Sequence, residues 1–348
     1  MCGIAGLWSP QKSYSPEELS RLAKEMAAEL IHRGPDDKGD WVCSDGLCAL
    51  SHRRLSVIDT SAAGRQPFAS SDGRFHISFN GEIYNYQELK KSLQTSGVDF
   101  RSKTDTEVLI EMYRAHGIEM FSHLDGMYAL AIYDSQEKTL LLARDPFGEK
   151  PLYYTEDKGL LAFASELHSL FVLPFFDDTI EQAAIAEYLC FQYIGGSRSL
   201  YRKTHKVLPG SYKLFSLDSP PNEGRHFHFT PHENPDLDRP LDSLADELEE
   251  LLLCSLKNRL VADVPLGTFL SGGIDSSLVN ALLVKKMDRE IDSFAAGFEK
   301  WADSEHEAAR ETAKLLGTHH FECLLTPQAA DFVHSAATHF DEPNGDTS

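Results

Sequence analysis

The chain opens with Met1-Cys2-Gly3-Ile4-Ala5-Gly6, and this stretch decides how the rest of the sequence is interpreted. Removal of the initiator methionine would leave Cys2 with both a thiol and a free α-amine. The amine has an ordinary pKa of about 7.7 to 8.0 and the thiol one of about 8.5, so near neutral pH the amine can accept the thiol proton. The stretch therefore predicts an N-terminal nucleophile that carries its own base. The alternative is an ordinary strand in which Cys2 is only a small apolar residue.

Composition restricts the classes of protein to which the chain can belong. Its 348 residues, 42% hydrophobic and 25% charged, are typical of a globular protein of about two domains. The formal net charge of −21 disfavours binding to nucleic acid and to anionic membranes, and favours a small-molecule substrate. The sequence shows neither an apolar run long enough to span a membrane nor a signal peptide. The six cysteines lack CxxC spacing, so we expect a reduced, cytoplasmic protein.

Helix and strand signals alternate through the first half of the sequence. Ser15, Pro16 and Glu18 form a capping-box pattern and predict a helix that runs to about His32. Two further helices are predicted, one capped by Asn85 and ending near Gly97 and one beginning at Thr104 and ending at Gly117, with strands at 127–133, 139–144 and 160–164. This order predicts layered sheets covered by helices, and a parallel βαβ arrangement fits it poorly.

Two adjacent arginines, Arg53 and Arg54, lie in the strand-like segment Ser51–Asp59. Because neighbouring residues on a strand point to opposite faces, one arginine can enter a pocket while the other meets solvent. A surface role for both is the alternative.

Asn80 and Gly81 follow the alternating apolar residues of a predicted strand that begins at Phe75. Asn-Gly is a strong signal for a tight turn. The functional alternative is an oxyanion hole, in which the Asn80 amide and the Gly81 N–H donate to a developing negative charge. Asp105 is equally ambiguous, because the helix dipole favours an acidic residue in a first turn whatever else that residue does.

The second half of the sequence has a different pattern. Residues 216–240 contain five prolines and few apolar residues, as a linker would. Beyond them come a strand ending at Leu270, the glycine-rich loop Ser271–Ser277 and a helix. This order predicts a phosphate cradle, because small residues let backbone N–H groups face an anion at a helix N-terminus. The loop lacks the GKS or GKT ending of a Walker loop. Strands at 291–298 and 319–325 complete the start of a parallel α/β domain.

Six ordered motifs resemble those of glutamine-hydrolysing asparagine synthetases. They are MCGIAG (1–6), IHRGPDD (31–37), SHRRLSVID (51–59), FNGEIYNY (79–86), LARDPFGEKPLYY (142–154) and SGGIDSS (271–277). The resemblance implies a class II glutamine amidotransferase domain at 2–215, with the α+β N-terminal-nucleophile fold, an αββα sandwich. It also implies a linker at 216–240 and, at 241–348, a partial asparagine synthetase domain built as an α/β parallel-sheet ATP pyrophosphatase (PP-loop).

Roles for individual residues are likewise implied by the resemblance. Cys2 would attack the glutamine side-chain amide, with Asn80 and Gly81 completing the catalytic set. Glutamine would be bound by Arg53, Ile58, Asn80, Glu82 and Asp105, with Arg53 on the α-carboxylate and Glu82 and Asp105 on the α-amine. ATP would be bound by Leu270, Ser271, Gly272, Gly273, Asp275, Ser276 and Ala296, and Asp275 would be the ligand of Mg²⁺.

The resemblance implies glutamine, ATP with Mg²⁺ and a carboxylate acceptor such as aspartate as ligands, and it allows for a homodimer. The sequence stops at Ser348, inside a stretch that continues in the resembled family. We therefore expect a C-terminally truncated chain whose ATP-dependent half is incomplete. Two other interpretations stay open: an amidotransferase for a different carboxylate, and a non-catalytic binding or regulatory module.

Overall fold

The computed structural model describes residues 1–231, 239–298, 305–325 and 340–345. The chain divides into two compact units, one formed by Met1–Thr230 with Phe340–Ser348 and the other by Pro231–His339. The domain limits at 215 and 240 stay a prediction, and residues 232–238 of the predicted linker lie outside the described residues. A strand at Asn222–Arg225 lies within the stretch predicted as the linker.

The first unit is built from two antiparallel sheets and five α-helices within its described residues. The helices are α1 (Pro16–Ala28), α2 (Tyr86–Thr95), α3 (Asp105–His116), α4 (His168–Phe171) and α5 (Gln182–Phe191). The strands are β1 (Gly3–Trp8), β2 (Asp37–Val42), β3 (Cys48–Arg54), β4 (Phe68–Ala69), β5 (Phe75–Ile83), β6 (Gly126–Asp134), β7 (Thr139–Arg144), β8 (Tyr153–Asp157), β9 (Leu160–Ala164), β10 (Thr204–Lys206), β11 (Ser211–Phe215) and β12 (Asn222–Arg225). One sheet has the order β10-β8-β9-β1-β3-β2 and the other β12-β11-β7-β6-β5-β4.

The core of this unit lies between the two sheets and under the helices. Ile4, Leu50 and Phe163 of the first sheet pack in one buried cluster with Ala129 and Leu142 of the second. A separate buried cluster joins α1 to the other face of the first sheet, through Leu19, Leu22, Met26, Ala5 and Leu7. On the second sheet, α3 contacts β5. This layering of helix, sheet, sheet and helix confirms the predicted αββα sandwich.

The capping box predicted for α1 is present. The Ser15 hydroxyl accepts from the Glu18 N–H at 3.2 Å, and the Ser15 N–H donates to the Glu18 carboxylate at 2.9 Å. The helix ends at Ala28, short of His32, because residues 30–33 continue only as turns. The box fixes the first turn of the helix that covers the strand of Cys2.

Strand β5 does not end at Asn80, as the turn interpretation required. It continues to Ile83 and stays paired with β6, with Asn80 opposite Ala129 and Gly81 opposite Tyr128. A Cβ on residue 81 would lie 2.1 Å from the Met127 carbonyl oxygen, so this position requires glycine for close approach of the two strands. The Asn-Gly pair therefore lies within a strand at the edge of the cavity described below.

The second unit contains a parallel sheet, as predicted. Its described elements are α6 (Leu241–Arg259), β13 (Gly267–Phe269), α7 (Ile274–Lys285), β14 (Asp292–Phe298), α8 (His306–Leu316) and β15 (His319–Leu325), with the strand order β13-β14-β15. Leu270, Ala295, Ala309 and Ala313 form its buried apolar cluster. None of the helices in the described residues is long and apolar enough to cross a membrane.

Candidate active site

A cavity of roughly 200 Å³ in the first unit brings together residues that are far apart in the sequence. Its wall is formed by Met1, Cys2, Arg54, Leu55, Val57, Ile58, Gln66, Phe79, Asn80, Gly81, Glu82, Thr104, Asp105, Thr106, Met127 and Lys150. The residues come from the segment before β1, the end of β3 and its following loop, the residues before β4, β5, the start of β6, the loop after β7 and the start of α3. Of the predicted glutamine-site residues, Cys2, Ile58, Asn80, Gly81, Glu82 and Asp105 are all on this wall.

Cys2 directly precedes β1, and its thiol lies against the backbone of Leu55. The Leu55 N–H donates to Sγ at 3.4 Å, and burial raises the pKa of the thiol while this hydrogen bond opposes the rise. In the full chain the Cys2 nitrogen is part of the peptide bond to Met1. The free α-amine predicted as its base therefore exists only after Met1 is removed. Burial lowers the pKa of the Met1 amine, so this amine is less protonated near neutral pH than an ordinary chain terminus.

Arg33 holds the backbone of the nucleophile, a role that the sequence analysis did not assign. Its Nε donates to the Cys2 carbonyl at 2.9 Å, and its guanidinium pairs with the Glu166 carboxylate at 2.6 Å. The Arg33 side chain is almost wholly buried, so both contacts are made away from bulk water. Its place inside the conspicuous motif IHRGPDD was the available signal.

Asn80 provides the feature of the cavity that points most directly to chemistry. Its side chain is buried, and among the described residues its Nδ2 has no hydrogen-bond partner. A buried amide N–H without an acceptor costs free energy, so a donor of this kind on a cavity wall calls for an explanation. On the wall shared with the Cys2 thiol, such a donor can meet the oxygen of a carbonyl under attack.

The backbone immediately before Asn80 is held by two side chains at the edge of β5 that faces away from β6. The Phe79 N–H donates to Gln66 Oε1 at 2.7 Å, and His52 Nε2 lies 3.0 Å from the Phe79 oxygen. A carbonyl can only accept, so His52 donates through Nε2; burial lowers its pKa to about 4, which keeps the ring neutral at pH 7. These two side chains bond the backbone groups of Phe79 that a neighbouring strand would otherwise bond, and so fix the position of Asn80.

The arginine on the cavity wall is Arg54, and the prediction of Arg53 was wrong by one residue. Arg53 points to the opposite face of β3, where its Nε donates to the Ala27 carbonyl of α1 at 3.0 Å. The guanidinium of Arg54 donates instead to the carbonyls of Ser61 at 3.0 Å and Ile58 at 3.1 Å. The alternation of side chains along a strand was expected, but sequence could not tell which of the two faces carried the cavity.

Asp105 is a buried carboxylate on the wall, at the first turn of α3. Its Oδ2 accepts from the Ile83 N–H at 3.1 Å, and burial raises its pKa to about 6. Lys150, also on the wall and not predicted, has its pKa lowered by burial. The half-buried Glu82 adds a second carboxylate to the same cavity. Two carboxylates and an arginine give the cavity donors and acceptors for both charged groups of an amino acid.

The predicted ATP loop lies in the second unit, between β13 and α7. The Ser276 hydroxyl accepts from the Ser271 N–H at 3.0 Å, and the Gly273 N–H donates to the Ser271 hydroxyl at 3.1 Å. Gly273 is the N-cap residue of α7 and provides no side-chain cap. The start of this 12-residue helix therefore offers backbone N–H groups to an anion, which fits a phosphate.

The other predicted ATP residues are distributed around this loop. Gly272 and Asp275 are exposed within the loop, and Ala296 is exposed on β14. The Leu270 side chain is buried against Ala295 in the core, so only its backbone is available to a ligand. Among the described residues, no group of three or more His, Cys, Asp or Glu side chains could hold a metal ion. A single carboxylate at Asp275 still suits Mg²⁺, which commonly uses one or two carboxylates together with substrate phosphates.

Comparison with known proteins gives the family. Residues 1–223 match the glutamine amidotransferase domain, and residues 247–348 match asparagine synthase. Glutamine-hydrolyzing asparagine synthetase 1 of Bacillus subtilis is 36% identical over 99% of this chain and 54% of its own length. A putative glutamine-hydrolyzing asparagine synthetase of Mycobacterium tuberculosis is 33% identical over 99% of this chain and 55% of its own length. Amidase chry2 of Gibberella zeae is 32% identical over 91% of this chain and 50% of its own length.

Among solved structures, glutamine phosphoribosylpyrophosphate amidotransferase of B. subtilis is similar to the chain with a TM-score of 0.49 and 19% identity, over 96% of this chain and 70% of that one. The chain spans about half the length of the three sequence relatives above. The match over residues 1–223 covers more than half of the 348 residues and coincides with the two-sheet unit that contains the cavity. The chain therefore belongs to the glutamine amidotransferase family, with an asparagine synthase stretch following its amidotransferase domain.

Proposed function

We propose that the chain hydrolyses glutamine at Cys2 and supplies the ammonia to an ATP-activated carboxylate, with aspartate as acceptor and asparagine as product. One observation carries the glutaminase half of the proposal: the buried Asn80 Nδ2, without a partner among the described residues, lies on the same cavity wall as the Cys2 thiol. A nucleophile beside an unused amide donor is the arrangement that acyl transfer requires.

The glutaminase half follows from the residues of the cavity. After removal of Met1, the α-amine of Cys2 takes the thiol proton, and the thiolate attacks the carbon of the glutamine side-chain amide. Asn80 Nδ2 donates to the resulting oxyanion, with the Gly81 N–H as the second predicted donor. The C–N bond then breaks and ammonia leaves with the proton, while a γ-glutamyl thioester stays on Sγ. Water attacks the thioester, which yields glutamate and restores the thiol.

The α-carboxylate and the α-ammonium group of the substrate are assigned to different residues of the cavity wall. Arg54 replaces Arg53 as the anchor of the α-carboxylate, because its guanidinium lies on the cavity and is already oriented by the loop carbonyls of Ile58 and Ser61. Its Nη2 already donates to the Ile58 and Asp59 carbonyls, so the remaining Nη1 and Nε hydrogens are those that would reach the carboxylate, as single charge-assisted hydrogen bonds. Asp105 and Glu82 accept from the α-ammonium group, and binding of this cation would favour the ionised form of Asp105.

The synthetase half rests on the loop Ser271–Ser276 and on the family match. The loop N–H groups at the start of α7 would bind ATP phosphates, and Asp275 would contribute a carboxylate to Mg²⁺. When bound, Mg²⁺ neutralises phosphate charge and so assists transfer of the adenylyl group to the acceptor carboxylate. Ser276 maintains the loop through its hydrogen bonds to Ser271.

A second candidate is an amidotransferase for a different carboxylate. Amidase chry2 matches over most of this chain yet does not carry the name of an asparagine synthetase. The two candidates share the glutaminase half and differ only in the acceptor. Pyrophosphate release from ATP, measured with aspartate and with a panel of other carboxylates in the presence of ammonium, separates them.

The test of the glutaminase half is Cys2→Ala, with Cys190→Ala as the matched control. Cys190 is an exposed free cysteine on α5. We expect Cys2→Ala to lower the rate of glutamate formation from glutamine by about a thousandfold or more, since no other nucleophile replaces the thiol. Cys190→Ala should retain the full rate. Glutamate formation by Cys2→Ala at the unsubstituted rate would refute the proposal.

A further inference from the structure

The turn Ser165–His168, which follows β9, is tied to the strand of the nucleophile. The Ser165 N–H donates to the Ile4 carbonyl at 2.9 Å, and the Ile4 N–H donates to the Ser165 hydroxyl at 3.0 Å. Glu166, the second residue of this turn, pairs with Arg33, and Arg33 Nε donates to the Cys2 carbonyl. A shift of this turn would therefore move both the backbone of β1 and the arginine that holds Cys2.

The same turn is held from its other side by Asp341. The Asp341 carboxylate accepts from the Leu167 N–H at 2.7 Å and from the His168 N–H at 3.2 Å, and it also contacts His168 Nδ1. Its side chain is only 11% exposed, and charge-assisted hydrogen bonds in such surroundings are stronger than those in water. The carboxylate thus fixes two backbone groups directly adjacent to Glu166.

The neighbouring acid, Glu342, makes a comparable anchor at a different place. It accepts from the Leu200 N–H at 3.0 Å and pairs with Lys206 at 2.9 Å, with 13% of its side chain exposed. Neither of these partners belongs to the turn Ser165–His168. Of the two adjacent acids, Asp341 therefore contacts the turn Ser165–His168, and Glu342 does not.

We propose that Asp341 is a positioning residue for Cys2. It fixes the turn Ser165–His168, so that Glu166 keeps Arg33 on the Cys2 carbonyl and the thiol stays aligned with the Asn80 amide. The inference rests on the proposed function, because it assigns a role in glutamine hydrolysis at Cys2. Asp341 follows the second unit in the sequence but packs in the first unit. The alignment of the nucleophile consequently depends on a residue that is distant from it in the chain.

The experiment compares Asp341→Asn with Glu342→Gln in the full chain. Each substitution removes one negative charge from the same segment, and each side chain is similarly buried. We expect Asp341→Asn to lower kcat for glutamine hydrolysis by about fivefold, within the range seen for residues coupled through contacts. KM for glutamine should change less than twofold, because Arg54 and Asp105 lie on other elements. Glu342→Gln should retain kcat within twofold.

A second readout separates failure of this inference from failure of the proposed function. The rate of Cys2 alkylation by iodoacetamide, followed by peptide mass spectrometry, reports the setting of the thiol whether or not glutamine is hydrolysed. Asp341→Asn should change this rate by a similar factor, and Glu342→Gln should not. Equal rates for both variants in alkylation and hydrolysis would overturn the positioning role, even in a chain that hydrolyses glutamine.

A milder variant keeps the inference testable if Asp341→Asn does not fold. His168→Gln removes the ring contact with Asp341 and leaves the two backbone hydrogen bonds in place. We expect a smaller loss of kcat, about twofold, at an unchanged melting temperature. An unchanged kcat and alkylation rate in His168→Gln would then count against the positioning role. Partial recovery in Asp341→Glu, which keeps the charge, would support it.

Discussion

Because side chains alternate along a strand, the adjacent residues Arg53 and Arg54 point to opposite faces of β3, and only one of them reaches the cavity. Arg54 is on the cavity wall, whereas Arg53 bonds to the Ala27 carbonyl on the helix side of the sheet. The sequence predicted that the two would face apart. It could not identify the cavity face, because that depends on which sheet face packs against α1, and this is decided by tertiary structure.

The pair provides a matched test of the carboxylate anchor. We expect Arg54→Gln to raise KM for glutamine by about tenfold or more, since a charge-assisted pair to the α-carboxylate is lost. Arg53→Gln should leave KM within twofold. Steady-state glutaminase kinetics of the two variants measure this, and an equal rise in both would contradict the assignment of Arg54.

Asp105 predicts a pH-dependent stability. Its pKa is about 6 in the folded chain against an ordinary 3.8, so the folded state favours the protonated form. Stability from this group is fully present below about pH 4 and is lost as the pH rises through 6, at about 1.4 kcal/mol for a pKa difference of one. Asp105→Asn should therefore raise the free energy of unfolding at pH 7.5, with little effect at pH 4.

Urea titrations of Asp105→Asn at the two pH values measure this difference, with the exposed Asp178→Asn as control. The same variant should raise KM for glutamine, because a neutral amide oxygen can accept from the α-ammonium group but forms no ion pair with it. A variant that is more stable but binds glutamine more weakly would show that the buried carboxylate of Asp105 lowers stability while it serves substrate binding. A larger stabilisation at pH 4 than at pH 7.5 would contradict the pKa assignment.

At the level of elements, local signals predicted where α1 and α3 begin. The capping box of α1, the start of α3 after Thr104 and its end at Gly117 are all where the sequence placed them. These features depend on hydrogen bonds within a few residues, so a short window of sequence contains them. The Asn80-Gly81 signal was misleading as a turn, because pairing with β6 continues through both residues and Gly81 is needed for close strand approach.

The capping box allows a test at this scale. Ser15→Ala should lower the free energy of unfolding by about 1 kcal/mol, because the Glu18 N–H loses its acceptor. Ser20→Ala, in the interior of the same helix, should not destabilise, since alanine is the better helix former there. Chemical denaturation of the two variants measures both values, and an unchanged stability in Ser15→Ala would contradict the role of the box. KM for glutamine should be unaffected in either variant.

At the scale of the whole molecule, the family motifs predicted both kinds of domain, and the matches confirm them. The position of Phe340–Gly345 in the first unit was beyond sequence reasoning. The hydrogen bond from Leu167 to Asp341 joins residues 174 positions apart, and no periodicity or capping pattern encodes such a contact. The exposed face of Ala296 and the buried side chain of Leu270 likewise follow from sheet packing in the second unit.

The two units should unfold as separable transitions, because each contains its own apolar cluster. In calorimetry, Mg²⁺-ATP should raise the melting temperature of one transition, and a thiol-alkylating glutamine analogue that of the other. A ligand at 100 times its Kd stabilises the unit that binds it by about 2.7 kcal/mol. Cys2→Ala is the control that abolishes the second shift. Shifts of the same transition by both ligands would contradict the division of sites.

Because residues 340–345 pack in the first unit, some contacts of that unit can form only late in synthesis of the chain. The ribosome makes residues 1–230 first, yet the contacts of Asp341 with Leu167 and His168 cannot form until residues 231–341 have also been made. At ordinary rates of translation that delay is on the order of 10 s. During this interval the nascent amidotransferase domain carries its nucleophile without the Asp341 anchor of the Ser165–His168 turn, so that turn is fully anchored only after residue 341 has been made and has reached the first unit.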